Sequence, residues 1–177
     1  MPRLKVVDPA TTTGKVRELF DGPLAGKHLN IFKGVANSPA VLPAYVAFSG
    51  ALKEGDLTDR EREVIALVTA QANNCNYCLA AHTFIGKTVG LSDEETLDAR
   101  RVNLKDAKLN ALATFVKALH EKKGFVDDAD LENFRAAGYG DSHIAEVVAN
   151  YALNVMTNYF NHVNDTVVDL PAAPPLG

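Results

Sequence analysis

Two cysteines, a histidine and a glutamate stand at spacings that could perform thiol chemistry. Cys75 and Cys78 are the only cysteines of the chain, with two residues between them, and His82 follows four positions after Cys78. Glu63 precedes Cys75 by twelve positions. Two cysteines this close can close a small disulfide ring, whereas cysteines that cross-link a fold are usually far apart in sequence. The spacing therefore indicates redox chemistry.

The helical period would place these side chains on one face. At about 100° per residue, Cys78 lies about 300° and His82 about 700° around the helix from Cys75, an arc of roughly 60°. A helix N-terminus stabilises a thiolate, and His82 could accept the proton of Cys78. A carboxylate beside an imidazole fixes its tautomer and raises its basicity. The residues predict a proton relay from Glu63 through His82 to Cys78.

The elements that must position these residues are predicted to be helices throughout. Thr58 and Glu61 form a capping-box pattern that begins a helix running to about Gln71, and Asn73 and Asn74 interrupt it. The cysteine helix then starts near Cys75 or Asn76 and ends near Gly90. Another helix is expected to begin near Val16. Further helices are expected at 29–37, 40–53, 92–102, 106–124, 128–137 and 141–164. The proline-containing tail is expected to be extended.

Composition and organisation limit the possible classes of protein. The 177 residues are 47% hydrophobic and 23% charged, which is ordinary for a globular domain with a real core. No linker or repeat divides residues 1–177, so we predict one all-α domain, a helical bundle. A formal net charge of −4 disfavours nucleic acid and anionic membranes as partners. With no secretory signal or membrane span, we expect a cytoplasmic protein.

The cysteine pair suggests a specific reaction. A reactive thiolate converts a hydroperoxide to the alcohol and becomes a sulfenic acid, which a neighbouring thiol condenses into a disulfide. Cys75 and Cys78 could form that disulfide, and an external dithiol would then reduce it by exchange.

The same residues resemble a known family. Glu63, eleven intervening residues, and the run Cys75-x-x-Cys78-Leu-Ala-Ala-His82 are similar to the motif of the alkylhydroperoxidase D (AhpD) group in the carboxymuconolactone decarboxylase superfamily. The best-matched stretch is 57–90, and the segment 158–164 near the end also looks like a family segment.

This resemblance implies an all-helical, AhpD-like fold, assembly into trimers or hexamers through helix–helix interfaces, and peroxide reduction in antioxidant defence. It implies that Cys78 is peroxidatic and Cys75 resolving, that no metal or other cofactor takes part, and that the dithiol partner is of the lipoyl type. The chain has Tyr77 where the best-known peroxidase of the group has a histidine. Tyr77 is therefore a candidate pocket or relay residue.

Several alternatives remain open at this point. Zinc could bind both cysteines and His82, with Glu63 or water as a fourth ligand, although structural sites usually draw ligands from two separated pairs. The cysteines could also form a structural disulfide or an inert buried pair. Two functional alternatives are a lactone decarboxylase, whose known members do not depend on this cysteine pair, and a non-catalytic redox sensor.

A polar stripe lies in the last predicted helix. Asn150, Asn154, Asn158 and His162 recur every four residues among apolar neighbours. Because asparagine is a poor helix former, we predict that the stripe is a hydrogen-bonded seam at a subunit interface or under the active site.

Overall fold

A computed structural model describes residues 1–176 and confirms the all-helical prediction. Among these residues there are nine α-helices and no β-strand. The helices are α1 Gly14–Asp21, α2 Asn30–Val35, α3 Val41–Leu52, α4 Asp59–Ala72, α5 Asn76–Thr88, α6 Asp93–Arg101, α7 Ala107–Glu121, α8 Asp128–Ala136 and α9 Asp141–Asn164.

Helix α4 lies at the centre of the bundle, in contact with α5, α6, α7 and α9. It begins as predicted, because the Thr58 side chain accepts a hydrogen bond from the Glu61 amide and Glu61 accepts one from the Thr58 amide. Every residue from Val64 to Ala70 is buried. The helix separates two apolar clusters, one around Leu112 and Phe134 and the other around Phe20, Leu42 and the cysteines.

The connection between α4 and α5 positions the cysteines. Asn74 adopts a left-handed conformation (φ 53°), which asparagine tolerates better than most residues. The Cys75 amide then donates to the Ala70 carbonyl at 2.9 Å, closing a tight turn. The predicted break at Asn73 and Asn74 is confirmed, and α5 folds back along α4. Gly86 packs closely against Leu91, since an added Cβ would lie 3.1 Å from that side chain, whereas the 3.8 Å to Glu63 on α4 is an ordinary contact.

The polar stripe of α9 differs from the prediction in one residue. Asn150, Asn154 and Asn158 are buried, but His162 is exposed and the buried residue of that turn is Asn161. A residue eleven positions after Asn150 lies about 20° from it around a helix, whereas one twelve positions away lies about 120° from it. Because a turn has 3.6 residues, repeated steps of four move the side chains around the helix, and one step of three returns them to the buried face.

After α9 the chain returns across the bundle without helical structure. Arg100 on α6 donates to the Pro174 carbonyl at 2.6 Å, and Asp169 accepts a bond from the Asn30 amide at 2.8 Å. We call residues 165–176 the tail. No helix among residues 1–176 is long and apolar enough to span a membrane.

Candidate thiol and histidine site

The two cysteines lie at the N-terminus of α5, as predicted. Cys75 is the N-cap residue, and its sulfur accepts a hydrogen bond from the Cys78 amide at 3.4 Å. Both thiols are reduced and buried, and their sulfurs are 2.8 Å apart. The sulfurs are therefore close enough to form a disulfide after a small movement.

The two thiols share one hydrogen bond, so they titrate as a pair. The contact with the Cys78 thiol, followed by the hydrogen bond from the Cys78 amide, lowers the Cys75 pKa despite burial. The Cys78 pKa is raised by its contact with Cys75, by burial and by the charge of Cys75, which disfavours a second thiolate. The pair therefore loses its first proton readily and resists losing the second.

The Cys78 sulfur receives a further hydrogen bond from α9. Nδ2 of Asn161 lies 3.2 Å from this sulfur, and the Asn161 side chain also helps to lower the Cys75 pKa. Asn158, one turn earlier, opposes the rise in the Cys78 pKa. The amide of Asn73 in the α4–α5 turn donates to Oδ1 of Asn158 at 3.1 Å. Helix α9 therefore supplies polar groups directly behind the cysteines.

His82 and Glu63 form a direct pair, in agreement with the first step of the predicted relay. Nδ1 of His82 donates to Oε2 of Glu63 across 2.8 Å, and their side chains are 21% and 14% exposed. Burial by itself lowers the His82 pKa, but the Glu63 charge and hydrogen bond outweigh it and leave the pKa raised. The imidazolium form of His82 is favoured.

The second step of the relay is not a direct contact. In the described residues 1–176, no hydrogen bond joins the His82 ring to either sulfur. Tyr45 on α3, which the sequence analysis did not select, lies near both groups. Its pKa is raised to about 12, chiefly by burial and then by the charges of Cys78 and Glu63.

Two cavities lie beside His82. The larger, about 620 Å³, is lined mainly by apolar residues of α2, α3, α5 and the loop before α2, and Leu170 of the tail also borders it. The smaller, about 310 Å³, extends toward α9. Glu63, His82 and Tyr45 line both cavities, and neither cavity is lined by a cysteine. An incoming molecule would thus meet His82 and Tyr45 first.

Tyr77 contacts the tail and lines neither of these cavities. Its hydroxyl donates to Oδ1 of Asp169 at 2.7 Å and accepts a hydrogen bond from the Ile31 amide at 3.3 Å. Burial and the bond to Asp169 raise the Tyr77 pKa. The residue between the two cysteines therefore joins α5 to α2 and to the tail.

The residues of the zinc alternative lie in two separate pairs. Within residues 1–176, no group of three His, Cys, Asp or Glu side chains is arranged to hold a metal ion. Cys75 and Cys78 contact each other, and His82 contacts Glu63.

Three residues at the site were missed by sequence reasoning. Tyr45 and Asp169 approach the site only through packing, and no local pattern marks them. Asn161 could have been predicted from the sequence, because with 3.6 residues per turn it lies on the same helical face as Asn150.

Comparison with known proteins shows which family and which folds the chain resembles. The model of the carboxymuconolactone decarboxylase family matches residues 39–121. No curated protein matches the chain significantly in sequence.

Solved structures resemble the whole bundle. An uncharacterized peroxidase-related protein from Ralstonia eutropha JMP134, described as an alkylhydroperoxidase AhpD core, is 26% identical, with a TM-score of 0.86 over 95% of this chain and 92% of that one. A peroxidase-related protein from Silicibacter sp. TM1040 is 22% identical, with a TM-score of 0.84 over 99% and 94%. The debrominase Bmp8, solved with 2,3,4-tribromopyrrole, is 16% identical, with a TM-score of 0.78 over 96% and 94%. The last two similarities show the fold alone.

Proposed function

The chain is an AhpD-like protein of the carboxymuconolactone decarboxylase superfamily, and from this premise we propose that it is a thiol-dependent peroxidase of antioxidant function. The observation that carries the proposal is the contact between the Cys75 and Cys78 sulfurs at 2.8 Å, beside the Glu63–His82 pair. The proposed substrates are small hydroperoxides.

The proposed cycle uses both thiols. The Cys78 sulfur attacks the terminal oxygen of the hydroperoxide, the O–O bond breaks, and the alkoxide takes a proton and leaves as an alcohol. Cys78 is now a sulfenic acid. The Cys75 sulfur attacks it, water leaves, and a disulfide forms. An external dithiol, of the lipoyl type by family resemblance, reduces the disulfide by exchange and is itself oxidised. No metal or organic cofactor takes part in this scheme.

Proton transfer in this cycle starts from the cysteine pair with one proton removed. Because the Cys75 thiol donates to the Cys78 sulfur, we propose that Cys75 keeps the remaining proton and Cys78 attacks as the thiolate. His82 is favoured as an imidazolium by Glu63, so we propose that it donates the proton to the leaving alkoxide. His82 then acts as an acid in this step, whereas the sequence alone suggested a base.

We further propose that the larger cavity beside His82 receives the organic group of a hydroperoxide. Its volume of about 620 Å³ is far more than hydrogen peroxide needs. The side chains around its opening and walls are largely apolar, and they include Leu24, Leu29, Phe32, Val46, Phe84 and Ile85. An apolar organic group bound there would release water from these surfaces.

We propose that α3 contacts another copy of this chain in a homo-oligomer. The helix contains no charged residue, yet only Leu42 of its twelve residues is buried. Val41 and Phe48 are 39% and 42% exposed, and the alanines between them are exposed as well. An uncharged helix is rarely left this exposed to water. The family resemblance implies a trimer or hexamer.

The test is steady-state reduction of an organic hydroperoxide with dihydrolipoamide, together with thiol titration before and after one equivalent of peroxide. Continued turnover with a loss and recovery of two thiols supports the proposal. Loss of two thiols without turnover would instead indicate a redox sensor. Conversion of an unsaturated lactone, the kind of substrate that the lactone decarboxylases use, without any dithiol would indicate a decarboxylase.

A further inference from the structure

Two buried side-chain atoms beside the cysteines have no hydrogen-bond partner. They are Nδ2 of Asn158 and Oδ1 of Asn161, and their residues are 0% and 4% exposed. A buried polar atom without a partner carries a cost of desolvation, so such atoms in a folded protein call for an explanation. The remaining amide atoms of both residues are engaged, with Asn73 and with the Cys78 sulfur.

The side chains that carry the two free atoms both lie near Cys78. Asn73 donates to Oδ1 of Asn158, the NH₂ group of Asn158 has no hydrogen-bond partner, and this side chain is close enough to Cys78 to affect its pKa. Asn161 donates to the Cys78 sulfur and keeps its carbonyl oxygen unpaired. The site thus offers one donor and one acceptor close to a sulfur that gains an oxygen atom in the proposed cycle.

We propose that Asn158 and Asn161 form a binding site for the oxygen of the Cys78 sulfenic acid. Asn161 stabilises the attacking sulfur, Nδ2 of Asn158 donates to the new oxygen, and Oδ1 of Asn161 accepts the sulfenic proton. Both bonds hold the S–OH group while Cys75 attacks the sulfur. This inference rests on the proposed function, because it requires that Cys78 be oxidised.

The first test is the pH dependence of Cys78 alkylation by iodoacetamide in a Cys75→Ser background. Serine retains a helix cap and leaves one thiol to titrate. Asn161→Ala should raise the alkylation midpoint by about one pH unit, which lowers the thiolate fraction at neutral pH about tenfold. Asn161→Asp changes one atom and should raise the midpoint further, because it places a carboxylate beside the sulfur.

Other titratable groups near the cysteines are the same in all these variants. Those that interact electrostatically with a cysteine are Tyr45 from α3, Tyr77 and His82 from α5 and His162 from α9. Glu63 from α4 contacts His82, and Asp169 from the tail contacts Tyr77.

Asn164→Ala is the matched control. Asn164 is equally buried on the same helix, but its side chain bonds Leu4 and Thr166 and not the cysteines. This variant should leave the alkylation midpoint unchanged even if it lowers stability. Equal midpoints in the parent and in Asn161→Asp would overturn the role of Asn161.

The second test follows the oxygen itself. One equivalent of hydrogen peroxide converts the Cys78 thiolate of the Cys75→Ser protein, with one proton, to sulfenic acid and water, and dimedone labelling with mass spectrometry measures its lifetime. Asn158→Ala should shorten this lifetime several-fold relative to Asn164→Ala. An unchanged lifetime would overturn the oxygen site. If no Cys78 sulfenic acid forms in the parent, the proposed function fails, while the alkylation test still decides the role of Asn161.

A measurement on the unmodified chain guards against variants that do not fold. The side-chain ¹⁵N–¹H signals of Asn158 and Asn161 should shift as the cysteines are titrated and again after peroxide treatment. Signals that stay fixed through both changes would contradict the proposal.

Discussion

Nδ1 of His82 lies 2.8 Å from Oε2 of Glu63, and this bond joins residues nineteen positions apart on α4 and α5. The pair lines both cavities, whereas the cysteines line neither. Glu63 raises the pKa of a histidine that burial alone would lower, and it therefore favours the imidazolium form of His82 beside both cavities.

Replacing Glu63 with glutamine should lower the His82 pKa and reduce turnover. Without the carboxylate, only the smaller effect of the Cys75 charge opposes burial, and the imidazolium deprotonates at lower pH. Activity that needs the imidazolium is lost as pH rises through the His82 pKa, so the alkaline limb of the pH–rate profile should move to lower pH. We expect at least a tenfold loss near neutral pH. Histidine NMR titration and steady-state rates measure both effects.

Glu121→Gln is the control for this variant. Glu121 is a surface carboxylate of α7, 61% exposed and remote from the pair in the fold. The Glu121→Gln variant should have the pH–rate profile of the parent protein. If the His82 pKa is the same in the Glu63→Gln protein and in the parent, Glu63 does not raise that pKa.

Serine substitutions should separate the roles of the two cysteines. Both Cys75→Ser and Cys78→Ser should abolish dithiol-dependent peroxide consumption, because neither can form the disulfide. Only Cys75→Ser should yield a sulfenic acid that dimedone captures, since Cys78 is proposed to attack. Mass spectrometry after one equivalent of peroxide identifies the labelled residue. A labelled Cys75 in the Cys78→Ser protein, with none at Cys78 in the other variant, would reverse the assignment.

Tyr77→Phe should lower the free energy of unfolding by about 1 to 2 kcal/mol. The change removes a buried hydroxyl and leaves the Ile31 amide and Oδ1 of Asp169 without this partner. Denaturant unfolding measures the loss, and faster proteolysis of the tail should accompany it. Tyr159→Phe, at a side chain 54% exposed, should change stability by less than about 0.5 kcal/mol. Equal stability of the two variants would mean that the Tyr77 bonds contribute nothing.

Filling the larger cavity should change substrate preference. Val46→Trp places a bulky ring in space that a large organic hydroperoxide would occupy. We expect kcat/KM for cumene hydroperoxide to fall at least tenfold while that for hydrogen peroxide changes little. Phe125→Trp, in the loop after α7 and 86% exposed, should alter neither. A parallel fall for both peroxides in Val46→Trp would indicate damage to the site and not a loss of binding space.

A charge on α3 should disrupt assembly. Phe48→Asp places a carboxylate on the uncharged exposed face of this helix, which would then have to be desolvated in a subunit contact. Light scattering should show a smaller particle than the parent forms. Phe125→Asp also removes an exposed phenylalanine and should keep the parent mass. If the Phe48→Asp protein assembles like the parent, α3 does not form the interface.

Local sequence patterns determined the helices and the spacing of the main site residues. The pairs Thr58 with Glu61 and Ser92 with Glu95 form capping boxes as their sequence predicts, because each bond joins residues three positions apart. The cysteine contact is likewise local, and the chain reversal at Asn74 was predicted from its residue types. The contact of Glu63 with His82 agrees with the predicted first step of the relay, while the catalytic roles of these residues stay predictions.

Only the tertiary structure decided which groups complete the site. Asn161, Tyr45 and Asp169 reach the cysteine region from α9, α3 and the tail, and these approaches depend on how helices pack over long sequence distances. The charge distribution was also beyond the sequence. Helix phase places Cys78 and His82 on one face, but packing buries the two sulfurs against each other, lowers the Cys75 pKa and pairs His82 with Glu63. Spacing along a helix determines which side chains share a face. The pKa of each group depends instead on the hydrogen-bond partners and the burial that packing provides.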